Sequence, residues 1–133
     1  MTKINTYLTF NGNCREAMAF YRDCFGGTLT FQTVGDSPGT DQLPEPMKQV
    51  ILQGTLVNDE LILIGSDMVS ELGLTTGNAV SLMLRCSIED ELKSCYKKLL
   101  SGGTEIHPPE NTYWGALFGV LQDRYGHQWL LSC

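Results

Sequence analysis

Two stretches of this chain carry the same apolar stripe at the same spacing. Ala17, Phe20, Tyr21, Cys24 and Phe25 fall at i, i+3, i+4, i+7 and i+8, and so do Leu92, Cys95, Tyr96, Leu99 and Leu100. One offset, 92 − 17 = 75, relates all five pairs. Each stripe is one face of an amphipathic helix, and each helix runs into Gly-Gly-Thr, one residue later in the second copy. A long repeat of this kind signals duplication.

The surroundings of the two helices repeat as well. In the first half, residues 4–10 read as a strand and Asn13 offers an N-cap with Glu16 three residues on. Thr28–Val34 reads as the next strand. The Gly- and Pro-rich stretch 35–46 is a loop long enough to act as a lid. Lys48–Val57 and Glu60–Ile64 form a hairpin about Asn58-Asp59. In the second half, Ala79–Cys86 is a strand, Ser87 caps the helix, Thr104–His107 is a short strand, and Pro108-Pro109 open a loop. Trp114 to Leu131 closes the chain as a hairpin that turns at Asp123-Arg124-Tyr125-Gly126.

Each half therefore reads strand, helix, strand, strand, strand. The expected architecture is α+β, with two βαβββ modules at residues 1–68 and 78–133 forming one domain over 1–133. A four-stranded sheet with one helix covers only one of its faces, so two modules are the natural unit. At 133 residues and 42% hydrophobic content the chain has enough apolar material for such a core. Strands with apolar residues on both faces further point to a homodimer.

Composition excludes several classes. A net charge of −6 and a pI near 4.7 argue against nucleic acid or an anionic membrane as partner, because both require a basic surface. There is no apolar run long enough to span a bilayer and no basic-then-apolar leader, so the cytoplasm is the expected compartment. Cys14, Cys24, Cys86, Cys95 and Cys133 contain no CxxC and read as buried thiols.

The motifs resemble one family. They are Tyr7-Leu8-Thr9-Phe10-Asn11-Gly12-Asn13-Cys14, Ala17 with Phe20-Tyr21, and Phe25-Gly26-Gly27. Near the other end are Trp114-Gly115, Phe118-Gly119 and Asp123-Arg124-Tyr125-Gly126-His127-Gln128-Trp129. Together they resemble the PhnB-like branch of the vicinal oxygen chelate superfamily, which includes glyoxalases, bleomycin resistance proteins and dioxygenases. The resemblance implies mixed sheets curled into a cup around a ligand or metal, and a dimer.

In metal-dependent members the resemblance puts ligands on the first and last strand of each module. Here those points fall near Thr6, Leu63, Ser81 and Leu130, none of which is a usual metal ligand. Glu60 and His127 lie nearby, but at hairpin ends. No resident metal or other cofactor is therefore expected, and the preferred function is binding of a small organic molecule. The alternatives are a metal-dependent lyase, isomerase or dioxygenase of the superfamily, and a drug-sequestering resistance protein whose acidic surface attracts cations.

If Thr6, Ser81 and Leu130 point into the cup, the two-residue period of a strand sends Leu8, Phe10, Met83, Arg85 and Gln128 inward too. Arg85 would be the one charge in an apolar wall, binding an anionic group of the ligand or an acidic side chain, or else it stands at the sheet edge in water. The expected ligand contacts are Thr6, Ser81, Arg85, Trp114, Phe118 and Gln128, with Trp114 and Phe118 on one strand face flooring the pocket or packing under the helix. His107, at a strand end, reads as a surface or loop histidine, and His127 as one that packs or hydrogen-bonds at a strand start. Cys14, near a helix N-terminus, is the only cysteine placed to act as a nucleophile.

Overall fold

The computed structural model describes residues 1–133. The chain forms two compact units, Met1–Leu74 and Thr75–Cys133. Each contains a helix and a four-stranded mixed sheet, and no helix is long and apolar enough to cross a membrane.

In the first unit, β1 (Thr6–Thr9), β2 (Thr28–Thr33), β3 (Ile51–Asn58) and β4 (Leu61–Ser66) lie in the order β1-β4-β3-β2. β1 runs parallel to β4 and the other pairs are antiparallel. Helix α1 (Cys14–Phe25) buries Cys14, Ala17, Met18, Tyr21 and Cys24. Its stripe crosses the sheet over two small residues. Gly54 and Gly65 face each other across β3 and β4, and a Cβ at Gly65 would stand 2.7 Å from Met18 Sδ. The glycines thus set how closely helix and sheet approach.

The expected capping box does not form. Asn13 is the N-cap residue, yet its side chain accepts the Asn11 N–H instead. Asp67, just past β4, supplies the cap from a distance. Its Oδ1 accepts Gly12 N–H at 3.0 Å and Cys14 N–H at 2.9 Å, while Oδ2 accepts Ile51 N–H at 3.2 Å. One carboxylate thereby joins the helix start to two strand ends.

The loop expected over 35–46 is more ordered than its composition suggests. A 3-10 turn spans Val34–Asp36 and a short helix, α2, spans Glu45–Lys48. Pro44 and Pro46 preset helical φ in a first turn, where a missing N–H costs nothing. The following strand therefore begins at Ile51 rather than Lys48.

In the second unit, β5 (Ser81–Arg85), β6 (Thr104–Asn111), β7 (Leu117–Gln122) and β8 (Gln128–Ser132) lie in the order β5-β8-β7-β6, with β5 parallel to β8. Helix α3 (Glu89–Leu100) buries Leu92, Tyr96 and Leu99. Ser87 does not cap it. The N-cap is Ile88, and Glu89, Asp90 and Glu91 supply the negative charge that a helix N-terminus favours.

Two expectations about strands are corrected. β6 does not stop at His107 but continues through Pro108-Pro109 to Asn111. It tolerates prolines because it is an edge strand and because its pairing with β7 slips between Glu105 and His107 and again between His107 and Glu110. The closing hairpin is β7 and β8, so Trp114 lies in the turn before β7 rather than on its face.

The third correction concerns Thr6, Leu8 and Phe10. Helices α1 and α3 are offset by 89 − 14 = 75 residues. The strands before them are not. Phe10 N–H donates to Ser66 O just as Cys86 N–H donates to Ser132 O, an offset of 86 − 10 = 76. The strand-to-helix connection is one residue longer in the first unit, and one residue reverses every side chain. Leu8 and Phe10 are buried, and Thr6 shares their side of the sheet beside buried Leu63. Ser81, Met83 and Arg85 take the opposite face of theirs.

Candidate functional site

The second sheet has one face against α3 and one open face. Leu117, Gly119, Leu121, Trp129 and Leu131 are buried on the helix side, where a Cβ at Gly119 would meet the Tyr96 ring. Tyr96 also donates its hydroxyl to Glu105 Oε2 at 2.9 Å; burial first, and then this bond, raise its pKa above the tyrosine norm. The alternate residues make up the open face.

Register arranges that face in three cross-strand rows. Arg85, Ser132, Phe118 and Glu110 form one, and Met83, Leu130, Val120 and His107 the next. Ser81, Gln128, Gln122 and Thr104 form the third. The two central strands contribute Phe118, Val120 and Leu130 beside Gln122, Gln128 and Ser132, and the edge strands are polar except at Met83.

Of the six expected contacts, Ser81, Arg85, Phe118 and Gln128 meet on this face. Ser81 Oγ donates to Gln128 Oε1 at 3.2 Å. Trp114 reaches it from the preceding turn, its ring 6.4 Å from Phe118, and Tyr113 stacks edge-on against Trp114 at 4.8 Å. Thr112 pins that turn: its hydroxyl donates to Ala116 O at 2.8 Å and accepts Ala116 N–H at 3.1 Å. Thr6 does not belong to the open face of its own sheet.

Arg85 is exposed at the edge strand β5, as in the sheet-edge alternative, rather than enclosed in an apolar wall, and no acidic side chain pairs with it.

Sequence reasoning overlooked Glu110 and read His107 as a surface or loop histidine at a strand end; it is half-exposed, inside β6. The first bulge of β6 turns His107 onto the open face, and the two together bring Glu110, already on that side by alternation, into register with Phe118; His107 Nε2 lies 3.9 Å from Glu110 Oε2. The signal was the Pro-Pro pair between them, which in an edge strand marks a bulge.

The β7–β8 turn is held by Asp123, which is 3% exposed. Its Oδ1 accepts the Tyr125 and His127 N–H groups, and its Oδ2 accepts Trp129 Nε1–H at 2.8 Å. Gly126 takes a φ of 91° there. Burial lowers the His127 pKa, opposed by the Asp123 charge. His127 packs in this turn beside the carboxylate.

Cys14 is fully buried, and its thiol is pushed up to about 12, first by burial and then by Asp67. A thiol so protonated is no nucleophile at neutral pH. Of the expected metal-ligand points, Thr6 and Leu63 lie on the helix side of their sheet, a consequence of the misplaced register, while Ser81 and Leu130 lie on the open face of theirs. No group of three His, Cys, Asp or Glu side chains is gathered to hold a metal.

The chain matches the 3-demethylubiquinone-9 3-methyltransferase family over residues 2–132. It belongs to that family, as a PhnB-like vicinal oxygen chelate protein. Protein PA1353 of Pseudomonas aeruginosa is 34% identical and superposes with a TM-score of 0.86, covering 100% of this chain and 98% of the other. A PhnB protein from Bacillus cereus is 26% identical with a TM-score of 0.70, over 98% of each chain. Protein YjdN of Escherichia coli K12 is 24% identical, over 97% of this chain and 93% of its own. A glyoxalase/bleomycin resistance/dioxygenase family enzyme from Burkholderia phytofirmans, at 16% identity and a TM-score of 0.64 over 96% and 94% of the two chains, shares the fold. This PhnB-like chain thus has the glyoxalase-like α+β fold of two four-stranded mixed sheets.

Proposed function

We propose that the open face of the second sheet binds a small organic molecule through an anionic group, with no resident metal. One observation carries this reading: Arg85 projects, without an acidic partner, onto the same face as Phe118, Leu130 and the Ser81–Gln128 pair. Carboxylates and phosphonates match a guanidinium geometrically and form charge-assisted bonds with it. Phe118 and Trp114 offer apolar contact beside it.

The test is a titration with small carboxylates and phosphonates, followed by tryptophan fluorescence, on native protein and Arg85→Met. Exposed charge pairs are worth at most about 1 kcal/mol, so the variant should bind roughly three- to five-fold more weakly. Equal affinity in the two proteins removes Arg85 as the anchor. Elemental analysis of protein prepared without chelator or affinity tag should find no near-stoichiometric transition metal; finding one, lost on Glu60→Gln or His127→Gln, reverses the metal-free reading.

We further propose a homodimer. Leu72, Val80 and Ile106, none of them a proposed ligand contact, are more than half exposed in the single chain, apolar side chains that a second copy would cover. Five cysteines in no disulfide suit a reducing compartment such as the cytoplasm.

A further inference from the structure

We infer that the molecule bound on this face is dipolar: a carboxylate held at Arg85 and an ammonium held at Glu110, with its carbon chain across Phe118. The inference rests on the ligand-binding reading of that face. Arg85 and Glu110 stand in one cross-strand row, at opposite edges of the sheet, with Ser132 and Phe118 between them. Three strand spacings of about 4.8 Å separate their Cα atoms, roughly 14 Å in all. That distance keeps the two charges from pairing with each other, and each head group has little else to bind. Arg85 has no ion pair. Glu110, 64% exposed, has only His107 at 3.9 Å, well beyond a strong charge-assisted bond.

The two ends also differ in ways that suit opposite charges. Phe118 pairs with Glu110 across β6 and β7, and Trp114 and Tyr113 extend the aromatic surface from it. Aromatic faces attract an alkylammonium, which Glu110 would also neutralise. No aromatic ring registers beside Arg85, whose neighbour in the row is Ser132. The bulges in β6 act in the same direction, because they move the pairing of Glu110 along β7 into the row of Phe118 and Arg85 while leaving Glu105 bonded to Tyr96 beneath. Finally, the chain carries a net charge of −6, which repels a simple anion but not a molecule with balanced charges.

Calorimetric titration with three probes of one chain length tests this: ε-aminocaproate, caproate and hexylamine. The native protein should bind ε-aminocaproate roughly three- to five-fold more tightly than either monofunctional probe. Glu110→Gln should reduce ε-aminocaproate to the level of caproate and leave caproate itself unchanged. Arg85→Met should reduce it to the level of hexylamine. If caproate binds the native protein as tightly as ε-aminocaproate, or Glu110→Gln leaves the preference intact, the dipolar ligand is ruled out while an anion site at Arg85 survives. If none of the three binds, or Arg85→Met changes nothing, both readings are lost.

Discussion

Asp123 shows how much one buried side chain decides. Three donors converge on its carboxylate, two from the turn backbone and one from the Trp129 indole. Replacing it with alanine strands those donors in a site with little access to water, and each buried unsatisfied group costs about 1–3 kcal/mol. Asp123→Ala should therefore lose at least about 2 kcal/mol of stability in urea unfolding, and Asp123→Asn distinctly less because the amide oxygen still accepts. Equal stability of native and alanine proteins would contradict the role. Arg85, at the opposite extreme, is exposed and without an acidic partner, so Arg85→Met should change binding and leave the urea midpoint nearly unmoved.

Among the elements, the packing of α1 on the first sheet depends on what is missing from β3 and β4. At Gly65 an added methyl would stand 2.7 Å from Met18 Sδ and 3.1 Å from Cys14 Sγ. Gly65→Ala should gain a few tenths of a kcal/mol from a less flexible unfolded chain but cost about 1–3 kcal/mol in overpacking, so the net effect is destabilising. A lower urea midpoint with an unchanged slope is the expected result; a raised midpoint would mean that the helix shifts without penalty. On the other sheet, β6 illustrates a different use of irregularity. Two bulges in an edge strand accommodate the prolines and, in the same step, turn His107 onto the open face and bring Glu110 level with Phe118.

For the whole molecule, the expected state is a dimer. Leu72 is 98% exposed and Val80 79% exposed in the single chain, apolar side chains that the ligand does not use and a second copy would cover. Size exclusion with light scattering should return about twice the 14.7 kDa chain mass at micromolar concentration. A single species of chain mass would refute it.

The sequence by itself determined the duplicated strand–helix–strand plan, the two helices, part of their buried faces (Ala17, Tyr21 and Cys24; Leu92, Tyr96 and Leu99, but not Met18) and the glycine turn of the last hairpin. These are local: a period of 3.6 or 2 and a residue able to take positive φ can be read from neighbours alone. The family was legible for the same reason, since its motifs cluster at the start of the chain and around the last hairpin. Only the tertiary structure decided which face each strand presents. The helix offset of 75 was carried over to the strands, where the true offset is 76, and Thr6 went to the wrong side as a result. Nor could local patterns reveal Asp67 capping a helix from 53 residues away, or Glu110 meeting Arg85 in one row. Both depend on strand pairing and register, which are fixed by contacts between residues far apart in the chain.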